Sequence, residues 1–204
     1  MPTLYSVKPA FQNLLRPLVR RLVAMGATAN QVTIAAMVLS IAAGLVIALL
    51  PATTPLFWIL PVVLFIRMAL NAIDGMMARE FGQASRLGAY LNEIGDVISD
   101  TALILPFALV APFSAPGVVA FALAAIFAEY AGVLGAANGG ARAYDGPFGK
   151  SDRALALGII AALIASGLAL PPWFGWVFPL MALLSLATMI NRMRAGLRRT
   201  DAQA

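Results

Sequence analysis

The chain has 204 residues and a formal net charge of +5, with 61% hydrophobic and only 11% charged residues. An ordinary soluble domain has about 45–50% apolar and about 25% charged residues, so this composition excludes a water-soluble globule, and it also excludes disordered, collagen-like and coiled-coil chains. The absence of cysteine and histidine excludes disulfides, thiolate or imidazole metal sites and Ser-His catalysis. The sequence is therefore typical of an integral membrane protein whose chemistry depends on carboxylates, amides, hydroxyls, Lys and Arg.

The first predicted element is an amphipathic helix at residues 7–25. Apolar side chains recur there at helical spacing, with the basic residues largely outside the stripe: Phe11, Leu14, Leu15, Leu18, Leu22 and Met25. This pattern predicts a helix that lies in the cytoplasmic membrane interface and that Pro17 either kinks or starts.

Six apolar stretches, each about long enough to cross the hydrocarbon core, follow in an all-α single membrane domain that covers 1–204. They are 31–50, 56–73, 87–111, 116–138, 154–170 and 173–193. Three of the connections between them are rich in proline and uncharged, whereas the other connections and the two ends hold 13 of the 14 basic residues. The positive-inside rule therefore predicts that both termini lie in the cytoplasm. We expect a prokaryotic inner membrane, with the positive charge serving topology and anionic lipid rather than nucleic acid.

Acidic and amide side chains occur inside these apolar helices, where an ionisable group costs about 2.5–3.5 kcal/mol. Asn71 and Asp74 are three residues apart at the end of the second span, and Asn92, Asp96 and Asp100 recur every four residues in the third. Residues at these spacings share one helix face, so two joined helices are able to direct their oxygen atoms at one point. Oxygen ligands of this kind suit Mg²⁺ or Mn²⁺.

Two further residues of this region suit a phosphate group. Gly75 leaves room for a phosphate to approach the backbone, and Arg79 offers a planar fork that matches phosphate oxygens. Together with the oxygen ligands, they predict metal-assisted phosphoryl transfer at the cytoplasmic surface of the membrane.

The same residues resemble the signature of the CDP-alcohol phosphotransferase family, which reads D-x-x-D-G-x-x-A-R, about eight residues, then G-x-x-x-D-x-x-x-D. Six of its eight fixed positions match with intact spacing over 71–96: Asp74, Gly75, Ala78, Arg79, Gly88 and Asp96. The segment Asn30-Gln-Val-Thr33 also resembles a P-N-x-x-T element of the family, with Ala29 where proline is usual. The six-span layout and the N-terminal amphipathic helix agree with the family as well.

The resemblance implies transfer of a substituted phosphate, phosphatidyl from CDP-diacylglycerol, to an alcohol in phospholipid biosynthesis, with release of CMP. It implies divalent metal (Mg²⁺ or Mn²⁺) at the four signature positions Asn71, Asp74, Asn92 and Asp96. Asp96 would be the general base that takes the proton of the acceptor hydroxyl. Nucleotide contacts would fall to five residues: Gly75, Ala78, Arg79, Asn30 and Thr33.

The connection between the fourth and fifth spans, GPFGKSDR at 146–153, resembles a basic loop near the family's acceptor pocket. Four basic residues are candidate ligands for the acceptor or a phosphate: Arg142, Lys150, Arg153 and Arg192. Charge that merely sets topology is the alternative for each of them.

Two of the four metal positions, Asn71 and Asn92, carry an amide where the family signature carries aspartate. Four carboxylates would offset two divalent ions, whereas Asp74 and Asp96 offset only one. Three consequences are open: a site for a single metal, recruitment of Glu93, Asp100 or Glu129, or loss of transfer. The alternative function is thus a catalytically lapsed member that binds a CDP-lipid or nucleotide or that scaffolds lipid enzymes.

The fourth span is rich in small residues, including the pair Gly135 and Gly139, which allows close helix packing within the chain or in a homodimer of the kind the family forms. Trp173 and Trp176 are expected at the outer membrane interface. A transporter with a relay through Asp96, Asp100 and Glu129 is a third function class. It is the weakest, since the acidic residues cluster toward the cytoplasmic side.

Overall fold

The computed structural model describes residues 4–138 and 141–201, and these residues form helices and connections without a β-strand. There are seven α-helices in this part of the chain: α1 Leu4–Ala24, α2 Ala29–Leu49, α3 Ile59–Glu80, α4 Arg86–Ile104, α5 Ala115–Ala137, α6 Lys150–Ala165 and α7 Val177–Asp201. Three short 3₁₀ helices occur beside the uncharged turns, at Thr54–Trp58, Leu105–Leu109 and Pro172–Trp176. Each has proline in its first turn, where the missing N–H costs nothing.

Four helical segments are long and apolar enough to span a membrane: Ala29–Leu49, Thr54–Glu80, Ala115–Ala137 and Pro172–Arg198. The six-span count is therefore not confirmed. α4, predicted as the span 87–111, carries Arg86, Glu93, Asp96 and Asp100. α6, predicted as 154–170, is only 16 residues long, or about 24 Å at 1.5 Å per residue, against a core of about 30 Å.

The described chain divides into two compact units, one made of Met1–Ala43 and Val62–Ser99 and the other of Gly44–Pro61 and Asp100–Ala204. The bounds cut through α2, α3 and α4, so that each of these helices contributes residues to both units. The signature residues of 71–96 all belong to the first unit, and Glu129 and the four predicted acceptor ligands all belong to the second.

The apolar core of the first unit joins α1 to the start of α2 and the end of α3. It consists of Val19, Ala29, Val32, Ile73, Met76 and Met77. On α1 the face packed against this core includes Leu15, Leu22 and Val23, whereas Leu14 and Leu18 are exposed, as is Met25 directly after the helix. The predicted stripe of α1 is therefore divided between core and surface. The helix continues through Pro17, so this proline does not start it.

The second unit has an aromatic core. Rings of Phe57, Phe107, Phe113, Phe121 and Phe178 meet with centroids 4.9–6.1 Å apart, and they tie α5 and α7 to the short helices at 54–58 and 105–109. Aromatic pairs at these separations add about 0.5–1.5 kcal/mol each beyond area burial.

Candidate functional site

The amide and carboxylate residues of α3 and α4 lie together, as their spacing predicts. The Asn71 side-chain amide of α3 donates to Asp96 Oδ1 of α4 at 3.4 Å. Asp74 is one turn after Asn71 on α3, and Asn92 is one turn before Asp96 on α4. Asn71 and Asp96 are therefore in contact between the two helices, and Asp74 and Asn92 lie one turn from them along the same helices.

Asp96 also forms an ion pair with Arg67 of α3, a residue that the sequence analysis did not assign to the site. Arg67 Nη2 donates to Asp96 Oδ1 at 3.1 Å and to the Asp96 backbone carbonyl at 3.2 Å. Its side chain is 5% exposed. The signal in the sequence is its position inside an apolar span, one helical turn before Asn71, where a buried guanidinium requires an acidic partner.

Asp74 is held by Thr33 of α2. The Thr33 hydroxyl donates to Asp74 Oδ2 at 2.7 Å, and it also lies 3.1 Å from the Ala29 carbonyl of its own helix. Both Thr33 and Asp74 are buried. Thr33, predicted as a nucleotide contact, is thus a direct partner of a predicted metal ligand.

The start of α2 is anchored to the connection between α3 and α4 by Gln83, which the sequence analysis did not single out. Gln83 Oε1 accepts from the Ala29 N–H at 2.7 Å, and its amide nitrogen donates to the Ala27 carbonyl at 3.4 Å. Asn30 lies against Gly88, where a Cβ atom would be 2.7 Å from Asn30 Oδ1. The signature glycine at position 88 therefore allows the close approach of Asn30 to α4.

The remaining signature residues lie near the end of α3. Arg79 is exposed, and its guanidinium lies close to Gly75, with Nη2 2.9 Å from the position of a Cβ atom at that glycine. Ala78 packs against the apolar core of the first unit. Because Gly75 has no side chain, the planar guanidinium of Arg79 is able to lie beside it. A guanidinium of this shape suits phosphate oxygens.

The donor set of this site has the chemistry that a hard divalent cation prefers. Among the described residues, no group of three or more Asp, Glu, His or Cys side chains is arranged to hold a metal ion. Two carboxylates, Asp74 and Asp96, and two amides, Asn71 and Asn92, supply oxygen atoms of the kind that Mg²⁺ and Mn²⁺ prefer. With Arg67 included, these five side chains carry one net negative charge.

A second charged cluster surrounds Glu129 of α5 in the other unit. Glu129 Oε1 accepts from Arg153 at 2.7 Å and lies 3.2 Å from Arg192 Nη1, and Oε2 accepts from Arg142 at 2.9 Å. Arg153 also donates to Asp100 Oδ2 at 3.4 Å. Three of the four predicted acceptor ligands therefore meet at one carboxylate, and the fourth, Lys150, begins α6.

Arg142 reaches Glu129 because the chain reverses after α5. The Ala143 N–H donates to the Gly132 carbonyl at 3.2 Å, and a Cβ atom at Gly132 would be 2.8 Å from the Ala143 carbonyl oxygen. A small residue of α5 thus serves close packing within the chain. The second glycine of the predicted packing pair, Gly139, lies outside the described residues.

Two arginines of this cluster, Arg153 and Arg192, are buried and retain an unused hydrogen-bond donor. Arg153 and Arg192 are each 2% exposed, and within residues 4–138 and 141–201 their Nε–H groups have no hydrogen-bond acceptor. Arg192 is additionally fixed by a 2.6 Å hydrogen bond from Nη1 to the Ala128 carbonyl. Topology alone does not account for guanidinium groups placed in this way.

Comparisons with known proteins agree with the signature. A family model described as CDP-alcohol phosphatidyltransferase matches residues 26–190. The chain is 48% identical over 198 residues, 96% of each chain, to "Inner membrane protein YnbA" of Escherichia coli (strain K12).

Two solved structures of phosphatidylinositol phosphate synthase (PgsA1) from Mycobacterium tuberculosis share the fold at 24% identity. The structure in complex with manganese and citrate has a TM-score of 0.72, with 89% of this chain and 88% of that chain covered. The structure with CDP-DAG bound has a TM-score of 0.66, with 90% and 92% covered.

Proposed function

The chain belongs to the CDP-alcohol phosphatidyltransferase family, and we propose that it transfers the phosphatidyl group of CDP-diacylglycerol to an alcohol, with release of CMP. The observation that carries the proposal is the meeting of α3 and α4 through Asn71 and Asp96, with Asp74 one turn away on the same helix. Both carboxylates stand at signature positions, and the relatives' names and titles, which include CDP-DAG bound to PgsA1, support a lipid donor.

In the proposed reaction, the acceptor hydroxyl oxygen forms a bond to the β-phosphorus of the donor. The bond between that phosphorus and the oxygen bridging to the α-phosphorus breaks, and CMP leaves. Asp96 accepts the proton of the hydroxyl, a role worth about 10²–10⁴-fold in rate. Arg67 and Asn71 hold the carboxylate in position through their hydrogen bonds to Oδ1.

Asp74, Asp96 and the amides of Asn71 and Asn92 would hold one Mg²⁺ or Mn²⁺ ion. Once bound, the ion would polarise the donor pyrophosphate and stabilise the leaving phosphate. On the nucleotide side, Arg79 offers its fork to phosphate, beside Gly75 and Ala78, and Asn30 and Thr33 of α2 complete the contacts. The manganese in a PgsA1 structure supports a divalent ion.

The arginine cluster is the proposed site for an anionic part of the acceptor or its phosphate, with Lys150 joining Arg142, Arg153 and Arg192. Its three guanidinium groups outnumber the carboxylates of Glu129 and Asp100 by one. Glu129 is the anion already present, so a phosphate would have to share these arginines with it.

We further propose that α4 and α6 complete six membrane spans and that both termini lie in the cytoplasm. The protein would be a homodimer in the inner membrane. The chain has no cysteine, so a single cysteine introduced into the turn at 51–55 or 170–176 would be a unique labelling site that tests the topology. A membrane-impermeant maleimide should label it from outside intact spheroplasts, and cysteines at 82–85 only after lysis. Crosslinking in membranes tests the dimer.

The decisive experiment measures CMP release by the purified chain in nanodiscs with CDP-diacylglycerol, a pool of alcohols and Mg²⁺ or Mn²⁺. We expect metal-dependent CMP that Asp96→Asn lowers at least about 100-fold. Glu80→Gln is the matched control, because it removes an exposed carboxylate from the same helix pair. Omission of one alcohol at a time then identifies the acceptor.

The catalytically lapsed alternative is favoured by the two asparagines and by the ion pair between Arg67 and Asp96. It predicts that radiolabelled CDP-diacylglycerol binds while CMP stays at the level of Asp96→Asn. If the chain neither binds CDP-diacylglycerol nor releases CMP, both functions are contradicted.

A further inference from the structure

The carboxylate of Glu129 occupies the place among the arginines that a bound anion would take. Its Oε1 accepts from Arg153 Nη2 at 2.7 Å and lies 3.2 Å from Arg192 Nη1. Its Oε2 accepts from Arg142 Nη2 at 2.9 Å. Hydrogen bonds between a guanidinium and a carboxylate are among the strongest in proteins. Both oxygens of Glu129 therefore contact the groups that would otherwise hold a phosphate.

Glu129 is held in this place by its surroundings. Its side chain is 9% exposed, and those of Arg153 and Arg192 are 2% and 3% exposed. Arg192 Nη1 also donates to the carbonyl of Ala128, the residue directly before Glu129, at 2.6 Å. Withdrawal of the carboxylate would break buried ion pairs, which is strongly unfavourable. An incoming anion would therefore have to bind beside Glu129 rather than replace it.

The cluster is most open at Arg142, whose side chain is 20% exposed. Its guanidinium lies over the ring of Tyr144, 5.2 Å from the centroid, in a cation–π contact. A substrate group that reaches this guanidinium also meets the carboxylate to which Arg142 donates. A guanidinium donates to hydroxyl oxygens, and a carboxylate accepts from hydroxyl hydrogens. The pair of Arg142 and Glu129 therefore suits the hydroxyl groups of an alcohol.

The charge of the acceptor affects how well it binds beside this carboxylate. A phosphate monoester carries about 1.5 to 2 negative charges at pH 7, and like charges placed close together at a binding site repel each other. An alcohol with one negative charge or none is repelled less. A fixed group that repels one class of ligand gives specificity against that class.

We propose that Glu129 is a specificity-determining residue that disfavours a phosphorylated acceptor, so that the chain takes an alcohol without a phosphate group. The inference rests on the proposed function and narrows its acceptor to alcohols whose anionic part, where they have one, carries a single charge. Anion binding at the arginines is, however, measured without turnover, so that the two proposals fail separately.

The first test titrates inorganic phosphate into the purified chain in nanodiscs and measures binding by calorimetry. We expect Glu129→Gln to bind phosphate at least about 10-fold more tightly than the wild type, because the amide keeps the shape and removes the repelling charge. Glu80→Gln, which removes an exposed carboxylate of the other unit, should match the wild type. Addition of Arg142→Gln to Glu129→Gln should remove the gain. Equal phosphate affinities of the wild type and a folded Glu129→Gln variant would overturn the proposal.

The second test needs no variant. CMP release is compared for alcohols supplied with and without a phosphate group, such as glycerol and glycerol phosphate or inositol and inositol phosphate. We expect kcat/KM to be at least about 10-fold higher for the unphosphorylated member of the pair that reacts. A higher kcat/KM for the phosphorylated member would overturn the proposal. A chain that releases no CMP with any alcohol would contradict the proposed function, and the phosphate titration would still decide the role of Glu129.

Discussion

The α3–α4 site and the cluster around Glu129 are both built from guanidinium and carboxylate groups, but in opposite proportions. In the first, Asp74 and Asp96 outnumber Arg67 by one. In the second, Arg142, Arg153 and Arg192 outnumber Glu129 and Asp100 by one. Each cluster lies within its own unit, and each is mostly buried.

The α3–α4 site places the guanidinium of Arg67 against the carboxylate of Asp96, whereas at Glu129 three guanidinium groups share one carboxylate. An ionisable group inside a membrane protein is costly, so such groups pair with one another or mark a functional site. Under the proposed function, the carboxylates of the α3–α4 site would hold a metal ion, and the arginines at Glu129 would hold an anionic part of the substrate.

The comparison is tested most severely by Glu129→Gln, which keeps the side-chain shape and removes the carboxylate that three arginines share. Removing one partner from a buried ion pair costs about 3–5 kcal/mol, and we expect a loss of this size in the free energy of unfolding measured in mixed micelles. Added phosphate should recover part of the loss by supplying the missing anion. An unchanged stability would show that the arginines do not depend on Glu129.

The close approach of Ala143 to Gly132 of α5 is tested by Gly132→Ala. The new Cβ atom would lie 2.8 Å from the Ala143 carbonyl oxygen, so we expect a loss of about 1–3 kcal/mol in the free energy of unfolding. Gly149→Ala is the matched control, because its nearest neighbour would be Asp152 Oδ2 at an ordinary 3.5 Å. Equal losses in the two variants would argue against the close contact of 132 with 143.

The proposed cation site at Asp74 is tested by Thr33→Val, which removes the hydroxyl that donates to Asp74 Oδ2. Partners of this kind orient a ligand, and their loss typically lowers metal affinity about 10–100-fold. We expect that decrease in a Mn²⁺ titration without nucleotide. Thr33→Ser, which retains the hydroxyl, should stay close to wild type. A valine variant with undiminished affinity would show that the Thr33 hydroxyl does not position a metal ligand.

The smallest effect is expected for Glu80→Gln at the exposed pair between Arg16 and Glu80, whose side chains are 37% and 38% exposed. Glu80 raises the pKa of the Arg16 guanidinium through a hydrogen bond and its charge, but exposed pairs often contribute nothing measurable to stability. We expect an unchanged unfolding midpoint. A loss comparable to that of Glu129→Gln would remove the contrast between buried and exposed pairs.

Much of the α3–α4 site was predictable because its geometry is local. Asn71 and Asp74 lie on one face through helical spacing alone, as do Asn92 and Asp96, and the short connection brings the two faces together. Asn71 and Asp96 are in contact in the structure, and the metal site itself stays a prediction. Arg67 lies one helical turn before Asn71, but its partner Asp96 is 29 residues away on α4. Spacing alone does not predict which acidic residue of α4 pairs with this arginine.

The Glu129 cluster was not predictable in the same way. Its arginines lie 13, 24 and 63 residues after Glu129. They meet it because the chain reverses over Gly132, because Arg153 of α6 reaches α5 and because α7 packs beside α5. As separate sequence features, Arg142 and Arg192 are indistinguishable from basic residues that set topology.

The sequence by itself determined that the chain is an all-α membrane protein with a metal-binding signature, because apolar content, helical period and motif spacing are properties of consecutive residues. Only the tertiary structure decided which basic residues the buried acidic residues meet. Asp96 and Glu129 are both acidic residues in apolar helices, and the sequence does not distinguish their partners. Asp96 meets Arg67, and Glu129 meets three arginines, because long-range packing rather than local spacing brings these side chains within hydrogen-bonding distance.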